Sequence, residues 1–144
     1  MKIFYRTTAT ATGGRAGTST LNDGSFSVRM ARPDGGGTGV NPEQLFALGY
    51  AACFDSAMGL VARQLDLDAE AARTSVAVGI GQRIEGGYGL DLDITAYLPG
   101  MAREDAHRLV EATHQVCPYS NATRGNIDIR LHIETEGHRD HEKL

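Results

Sequence analysis

The two cysteines of this 144-residue chain are the residues whose type and setting point most directly to chemistry. Cys53 lies in a long apolar segment that favours a helix, whereas Cys117 stands directly before Pro118, where a polar turn begins. A pair of thiols can cycle between dithiol and disulfide with the transfer of two electrons. We therefore interpret the two cysteines as a working dithiol.

The setting of Cys53 raises the question of how its thiol is activated. The thiolate is the reactive form, and burial in an apolar helix raises the pKa of a thiol and silences it. A reactive Cys53 therefore needs a nearby cation, and the best-placed candidate is Arg15, which follows Gly13 and Gly14. The alternatives are that Cys53 is a small core residue and that Arg15 is a charge at the edge of a hairpin.

Cys117 ends one predicted helix, so it can cap the turn that follows. Free backbone N–H groups at such a position favour a thiolate. A plain cap or core role is the alternative. His114 lies three residues earlier, which makes a helical His–Cys zinc pair conceivable, although zinc needs further ligands in a tight cluster.

Glu43 is a further candidate, and helix geometry gives its expected distance from Cys53. On one straight helix, ten residues at a rise of about 1.5 Å separate the two by about 15 Å and place them on different faces. Glu43 can reach the surroundings of the thiol only if the backbone breaks near Pro42 or if a second subunit contributes. The alternative is a carboxylate that simply favours the helix macrodipole.

Composition and charge bound the class of protein. The net charge of -4 gives no electrostatic reason to expect nucleic acid or an anionic membrane as partner. The first residues do not resemble a signal peptide, and no apolar run reaches the roughly 18 residues of a membrane span. We therefore expect a cytoplasmic protein, where cysteines stay reduced unless they cycle. Residues 137–144 form a charged tail, in which His138 and His141 leave a metal role open.

Hydrophobic periodicity and turn signals predict the elements that must position these residues. Residues 22–24 form a hairpin turn, and Asn41 with Gln44 forms a capping box ahead of a central, buried helix. The order β3-α-β2-α-β, with no linker, predicts one α+β domain over residues 1–136. Strands are predicted at residues 3–12, 15–21, 25–30, 74–84, 88–98 and 126–134, and helices at residues 45–62 and 102–116.

Three separated motifs resemble those of the organic hydroperoxide resistance (Ohr) proteins of the OsmC/Ohr superfamily. They are ATATGGR at residues 9–15, NPEQLF at residues 41–46 leading to Cys53, and CPYSNATRGN at residues 117–126. The resemblance covers essentially residues 1–135. The sister OsmC branch shares both cysteines but usually lacks the third motif, so the Ohr branch is favoured. Ala16 and Leu48 depart from the pattern, in place of an acidic residue and an alanine.

The resemblance implies an OsmC-like fold, with a strongly curved antiparallel sheet around central helices. It also implies an intertwined homodimer with two active sites at the subunit interface, which would answer the problem of Glu43. Cys53 would be the peroxidatic thiolate and Cys117 the resolving thiol. Arg15 would stabilise the Cys53 thiolate, and Glu43 would hold Arg15 by a salt bridge.

The implied activity is that of a thiol-dependent peroxidase, which reduces alkyl or fatty-acid hydroperoxides to alcohols through a sulfenic acid and a disulfide. Apolar Phe46, Leu48 and Phe54 would favour organic hydroperoxides over hydrogen peroxide. The implied reductant is a dihydrolipoyl group on a protein, or dihydrolipoamide. The resemblance implies no metal and no organic cofactor.

Other functions use the same features. The first is an OsmC-like peroxidase of broader substrate range. The second is a non-catalytic redox sensor or hydrophobic-ligand binder that uses the dithiol as a switch, and the third is a structural zinc domain. Substrate preference, turnover and metal content distinguish them.

Overall fold

The computed structural model describes residues 1–136. The tail at residues 137–144, with the metal alternative for His138 and His141, lies outside the described residues. The chain divides into two compact units, Met1–Leu45 and the part from Phe46 onward. The expectation of a single domain over residues 1–136 stays a prediction.

The first unit contains a three-stranded antiparallel sheet in the order β1-β2-β3. Its strands are β1 (Ala9–Thr12), β2 (Thr18–Leu21) and β3 (Ser27–Arg29). The predicted turn at residues 22–24 lies between β2 and β3, as expected. The strands are shorter than predicted, because residues 3–8 lie outside β1 and a 3₁₀ turn, Gly14–Ala16, separates β1 from β2.

Glycines explain why a turn replaces the start of the predicted strand at Arg15. Gly13 and Gly14 have φ values of 78° and 58°, in the left-handed region that favours glycine. A Cβ atom at Gly17 would lie 1.8 Å from the carbonyl oxygen of Thr12. The chain therefore turns tightly here, and Arg15 is carried by the turn.

Helix α1 (Pro42–Gln64) begins with the predicted capping box. The N–H of Gln44 donates to Asn41 Oδ1 at 2.8 Å, and the N–H of Asn41 donates to Gln44 Oε1 at 2.9 Å. These reciprocal bonds satisfy two backbone donors that a helix start would otherwise leave without partners. Pro42 takes the first helical position, where its missing N–H costs no hydrogen bond.

By length and composition alone, α1 could cross a membrane. Its most apolar 18-residue window has a mean hydropathy of 1.6, which corrects the expectation that no segment is long enough. One third of that window is buried inside the protein. Tyr50, Phe54 and Met58 are among its fully buried side chains and belong to the hydrophobic core. This packing accounts for part of the apolar character of the helix.

The second unit contains a sheet in the order β4-β5-β6. Its strands are β4 (Arg73–Gln82), β5 (Tyr88–Tyr97) and β6 (Ile129–Glu134). β4 and β5 form the predicted antiparallel hairpin, but β6 pairs with β5 in parallel, which corrects the expectation of a wholly antiparallel sheet. The reason is the connection: the chain returns to the sheet through helices, and such a crossover brings the next strand back in the same direction.

Two helices form that crossover. α2 (Arg103–Val116) lies where a helix was predicted, and α3 (Pro118–Thr123) lies where a polar turn was expected. Pro118 suits the start of α3, since its fixed φ matches the first helical position. Residues 1–136 thus contain three α-helices and two three-stranded sheets, and the α+β class is confirmed.

The hydrophobic core of the second unit lies between α1, α2 and the inner face of the β4-β5-β6 sheet. Alternation along β5 buries Leu92, Ile94 and Ala96, while the residues between them lie on the other face. Cys117 is fully buried in the same cluster. The core therefore fixes the position of one of the two cysteines. Its fully buried members also include Tyr50, Phe54, Met58, Leu98, Leu109 and Val110.

Candidate functional site

The structure brings the two predicted cysteines together. Both are free thiols, and the Cys117 Sγ lies 3.5 Å from the Cys53 Sγ, with the Cys117 thiol donating towards Cys53. Cys117 is fully buried and Cys53 is half-buried, so a reagent from solvent reaches Cys53 first. A disulfide has an S–S length of about 2.05 Å, so the two sulfur atoms would have to move about 1.5 Å closer to form one.

Cys117 occupies the junction of α2 and α3. It is the C-cap of α2, where its N–H closes the last turn, and it is the N-cap of α3, where its carbonyl accepts from the N–H of Asn121 at 3.0 Å. Two helix ends therefore hold the backbone of this cysteine. The predicted capping role of Cys117 is confirmed, and α3 is the helical turn that it caps.

The pKa of Cys53 reflects opposing effects. Burial raises the pKa of the thiol, a hydrogen bond from the backbone N–H of Tyr119 lowers it, and the neighbouring Cys117 raises it again. The net direction is upward, because desolvation disfavours the thiolate more than one N–H group favours it. The Tyr119 N–H is available because it lies in the first turn of α3, where backbone donors lack helical partners.

Tyr119 packs against α1 one turn before Cys53. A Cβ atom at Gly49 would lie 2.7 Å from the Tyr119 Oη and 3.3 Å from two of its ring carbons, so a side chain at position 49 would displace the ring. The ring is 5.4 Å from that of Tyr50 and 6.0 Å from that of Phe46. These three rings, Phe46, Tyr50 and Tyr119, form an aromatic cluster on the α1 segment that leads to Cys53.

The three apolar residues expected to favour organic substrates lie in different settings. Phe46 is half-buried in the aromatic cluster, and Leu48 is exposed on α1. Phe54 is fully buried in the core, so it cannot touch a substrate without unfolding of that core. Tyr119, which sequence reasoning did not select, is partly exposed, and its position in the CPYSNATRGN motif was the available signal.

A buried polar cluster lies beside Cys117. The Ser120 Oγ is 2.7 Å from the Tyr50 Oη and 2.8 Å from the His114 Nδ1, and the Tyr50 Oη is 3.3 Å from the Thr123 Oγ1. Burial lowers the pKa of His114, and the charge of Arg124 lowers it further, so its neutral form is favoured. The guanidinium of Arg124 also donates to the carbonyl oxygen of His114.

This arrangement bears on the zinc alternative for His114 and Cys117. The Nδ1 atom of His114 is engaged with Ser120, and the Cys117 sulfur is engaged with Cys53. Within residues 1–136, no group of three or more histidine, cysteine, aspartate and glutamate side chains is placed to hold a metal ion.

In the first unit, Arg15 and Glu43 form a bidentate ion pair. The Arg15 Nη1 is 2.7 Å from the Glu43 Oε2, and its Nη2 is 2.6 Å from the Glu43 Oε1. Hydrogen bonding to Arg15 lowers the pKa of Glu43, and the same bond raises the pKa of Arg15. The tight turn after β1 carries the guanidinium, and the first turn of α1 carries the carboxylate.

An α+β protein with two free thiols in contact is the class that this fold and site define. Comparisons with known proteins place it further. The sequence model of the OsmC-like proteins matches residues 35–132. The organic hydroperoxide resistance protein of Xanthomonas axonopodis pv. citri is 49% identical over 136 residues, which cover 90% of this chain and 94% of that protein.

Solved structures agree with the sequence comparison. The crystal structure of an organic hydroperoxide resistance protein from Elizabethkingia anophelis superposes with a TM-score of 0.88 at 44% identity, over 94% of this chain and 100% of that chain. That of OhrB from Bacillus subtilis gives 0.83 at 38% identity, over 90% and 98%. The chain belongs to the OsmC-like family, among the organic hydroperoxide resistance proteins. The resemblance drawn from the three motifs is confirmed.

Proposed function

We propose that this protein is a thiol-dependent peroxidase that reduces organic hydroperoxides, alkyl or fatty-acid, to alcohols. The observation that carries the proposal is the 3.5 Å approach of the Cys53 and Cys117 sulfur atoms in a chain of this family. Cys53, the more exposed thiol, reacts with the peroxide, and the buried Cys117 thiol lies beside it.

The first step is the attack of the Cys53 thiolate on the distal peroxide oxygen. An S–O bond forms and the O–O bond breaks, so that Cys53 becomes a sulfenic acid and the substrate leaves as an alkoxide that takes up a proton. Cys53 is oxidised by two electrons and the hydroperoxide is reduced by two. Arg15 stabilises the thiolate and the developing alkoxide charge, and Glu43 holds Arg15 in the bidentate pair.

Cys53 needs this cation, because burial raises the pKa of its thiol. We propose that a homodimer supplies it, with the active sites at the subunit interface. Large apolar side chains that are exposed on the single chain support an interface of this kind, since burying them between two subunits would remove apolar surface from water. They include Ile3, Phe4, Phe26, Leu48, Leu60, Ile80 and Ile84.

The second step joins the two sulfur atoms. The Cys117 sulfur attacks the Cys53 sulfenic sulfur, the S–O bond breaks, and the hydroxyl leaves as water with the thiol proton. A dithiol then reduces the disulfide by exchange and is itself oxidised to a disulfide. We propose a dihydrolipoyl group on a partner protein, or dihydrolipoamide, as this reductant. The cycle needs no metal or organic cofactor. We propose that it takes place in the cytoplasm, where protein thiols are kept reduced.

The preference for organic hydroperoxides rests on apolar surface beside Cys53. Phe46 and Tyr119 of the aromatic cluster lie on that side of α1, and Tyr119 also donates its N–H to the Cys53 sulfur. An alkyl chain buried against such rings gains free energy at about 25 cal/mol per Å² of apolar area, and hydrogen peroxide has no chain to bury.

The test is turnover of cumene hydroperoxide with dihydrolipoamide by the wild type, Cys53→Ser and Cys117→Ser. We expect sustained turnover by the wild type, none by Cys53→Ser, and a single oxidation followed by overoxidation in Cys117→Ser. Efficiency with hydrogen peroxide equal to that with cumene hydroperoxide would favour the OsmC-like peroxidase of broader range. Stoichiometric oxidation without turnover under any reductant would overturn the proposal in favour of a redox sensor or ligand binder.

A further inference from the structure

A buried hydroxyl joins the three helices that carry the cysteines. The Ser120 side chain on α3 is fully buried, and its Oγ lies between the Tyr50 Oη on α1 and the His114 Nδ1 on α2, at 2.7 and 2.8 Å. Thr123 extends this hydrogen-bond network, because its Oγ1 lies 3.3 Å from the Tyr50 Oη and donates to the carbonyl oxygen of Tyr119 at 3.0 Å.

The positions of these residues bracket both sulfur atoms. Tyr50 lies three residues before Cys53 on α1, while His114 and Ser120 lie three residues before and after Cys117. The Tyr50–Ser120 bond therefore joins the helix of Cys53 to the helix that Cys117 caps. The Ser120–His114 bond ties that cap to the end of α2.

Polar groups buried in a hydrophobic core are costly unless they are fully hydrogen-bonded, and such a network holds its elements in one arrangement. None of the buried side-chain nitrogen and oxygen atoms in residues 1–136 lacks a partner. An alanine at position 120 would leave the Tyr50 Oη and the His114 Nδ1 without the hydroxyl that each of them bonds. The three-way bond therefore serves to set the relative position of three helices.

We propose that Tyr50, Ser120 and His114 are positioning residues for the resolving step, which hold Cys117 in line with the Cys53 sulfur. This inference rests on the proposed peroxidase function. In that step an S–S bond forms, the S–O bond of the sulfenic acid breaks, and the hydroxyl leaves with the Cys117 proton as water. The sulfur atoms begin 3.5 Å apart, so a small displacement of α3 relative to α1 changes the rate of closure.

A slow closure leaves the sulfenic acid open to a second hydroperoxide. That reaction adds one oxygen to the sulfur, gives the sulfinic acid, and releases a second alcohol. The network thus determines how many turnovers precede inactivation. The first step requires no approach of Cys117, so the network has little influence on it.

The experiment compares Tyr50→Phe, Ser120→Ala and the double variant with the wild type. Stopped-flow measurement separates the reaction of Cys53 with cumene hydroperoxide from disulfide closure, and mass spectrometry counts sulfinic acid per turnover. Thr113→Val is the matched control, because Thr113 is also a fully buried residue of the core and its hydroxyl bonds only within α2, to the Leu109 carbonyl oxygen.

We expect Tyr50→Phe to slow closure by up to about tenfold, the value of one neutral hydrogen bond. Ser120→Ala should slow it at least as much, because it removes the bonds to both Tyr50 and His114. The sulfinic fraction should rise in proportion. The first step should change by less than about twofold on the same scale. The effects of the two substitutions should not add in the double variant, because both remove the Tyr50–Ser120 bond. Thr113→Val should lower thermal stability and leave closure at the wild-type rate.

Closure at the wild-type rate in Tyr50→Phe and Ser120→Ala, with stability lost, would overturn the inference and leave the network a purely structural role. If Ser120→Ala does not fold, the nearly isosteric Tyr50→Phe decides. A second assay tests the positioning role without a peroxide. Oxidised glutathione forms a mixed disulfide with Cys53, and attack by Cys117 then forms the Cys53–Cys117 disulfide and releases glutathione. Slow closure there, in a wild type without peroxidase turnover, would support the positioning role and reject the proposed function alone.

Discussion

The guanidinium of Arg15 and the carboxylate of Glu43 form two parallel hydrogen bonds, of 2.7 and 2.6 Å, across 28 residues of sequence. A bidentate pair fixes the plane of the guanidinium as well as its distance, which a single contact does not. The pair explains how a turn residue with a side chain 43% exposed to solvent is held in one orientation.

We predict that substitutions of this pair slow the first step of the reaction. Arg15→Ala should lower the second-order rate of Cys53 oxidation by cumene hydroperoxide by about 10²-fold, as does the loss of one preorganised donor in other enzymes. Arg15→Lys should recover only part of the rate, because an ammonium group cannot make the bidentate contact. Glu43→Gln should have an intermediate effect.

The control for these variants is Arg83→Lys, which alters an exposed ion pair with Glu85 in a loop between β4 and β5. It should react at the wild-type rate in the same stopped-flow measurement. An Arg15→Ala variant as fast as Arg83→Lys would remove Arg15 from the mechanism.

We predict that Arg15 lowers the pKa of the Cys53 thiol in the assembled protein. Burial raises this pKa in the single chain, and an adjacent cation favours the thiolate. Arg15→Ala should therefore move the pH profile of Cys53 alkylation to higher pH, with slower alkylation at neutral pH. The profile is measured with iodoacetamide in the Cys117→Ser background, so that one thiol reacts. Superimposable profiles with and without Arg15 would contradict the assignment.

We predict that Leu60 on α1 is buried between two subunits. Leu60 is 43% exposed in the single chain. Leu60→Asp places a charge at this position and should convert the proposed dimer to monomer in sedimentation velocity, with loss of turnover. Gln64→Glu, at the exposed end of the same helix, should leave the dimer intact. A wild type that turns over as a monomer would refute the proposed interface.

We predict that acid weakens the folded state through Asp93. Hydrogen bonds from Arg130 and then His132 hold its pKa well below the usual range. The ionised carboxylate therefore stabilises the fold above the unfolded-state pKa of about 4, and this contribution is lost as the pH falls further. Asp93→Asn should reduce the slope of the free energy of unfolding against pH, measured by urea denaturation below about pH 4.

Arg130→Gln provides the matched background for this comparison. Without the guanidinium that accounts for the largest part of the pKa shift, Asp93→Asn should change the slope much less. Equal effects of Asp93→Asn in both backgrounds would show that another group governs the acid sensitivity.

Local features of this protein were predictable from the sequence, since they depend on residues a few positions apart. The Asn41–Gln44 capping box, the turn at residues 22–24, α2 and the β4–β5 hairpin all follow from periodicity and turn chemistry, and the structure confirms them. Two of the differences between the predictions and the structure have local causes too. Left-handed glycines replaced the start of a strand at Arg15, and Pro118 began a helix in place of a turn.

Contacts between distant residues were decided by the tertiary structure. The sequence identified both cysteines, but packing of the α2–α3 junction against α1 places their sulfur atoms 3.5 Å apart across 64 residues. It likewise pairs Tyr50 with Ser120 across 70 residues, and the crossover through α2 and α3 makes β6 parallel. Periodicity states which face of an element is buried. Which elements then meet, and at what distance, depends on how the whole core packs, and no local pattern contains that information.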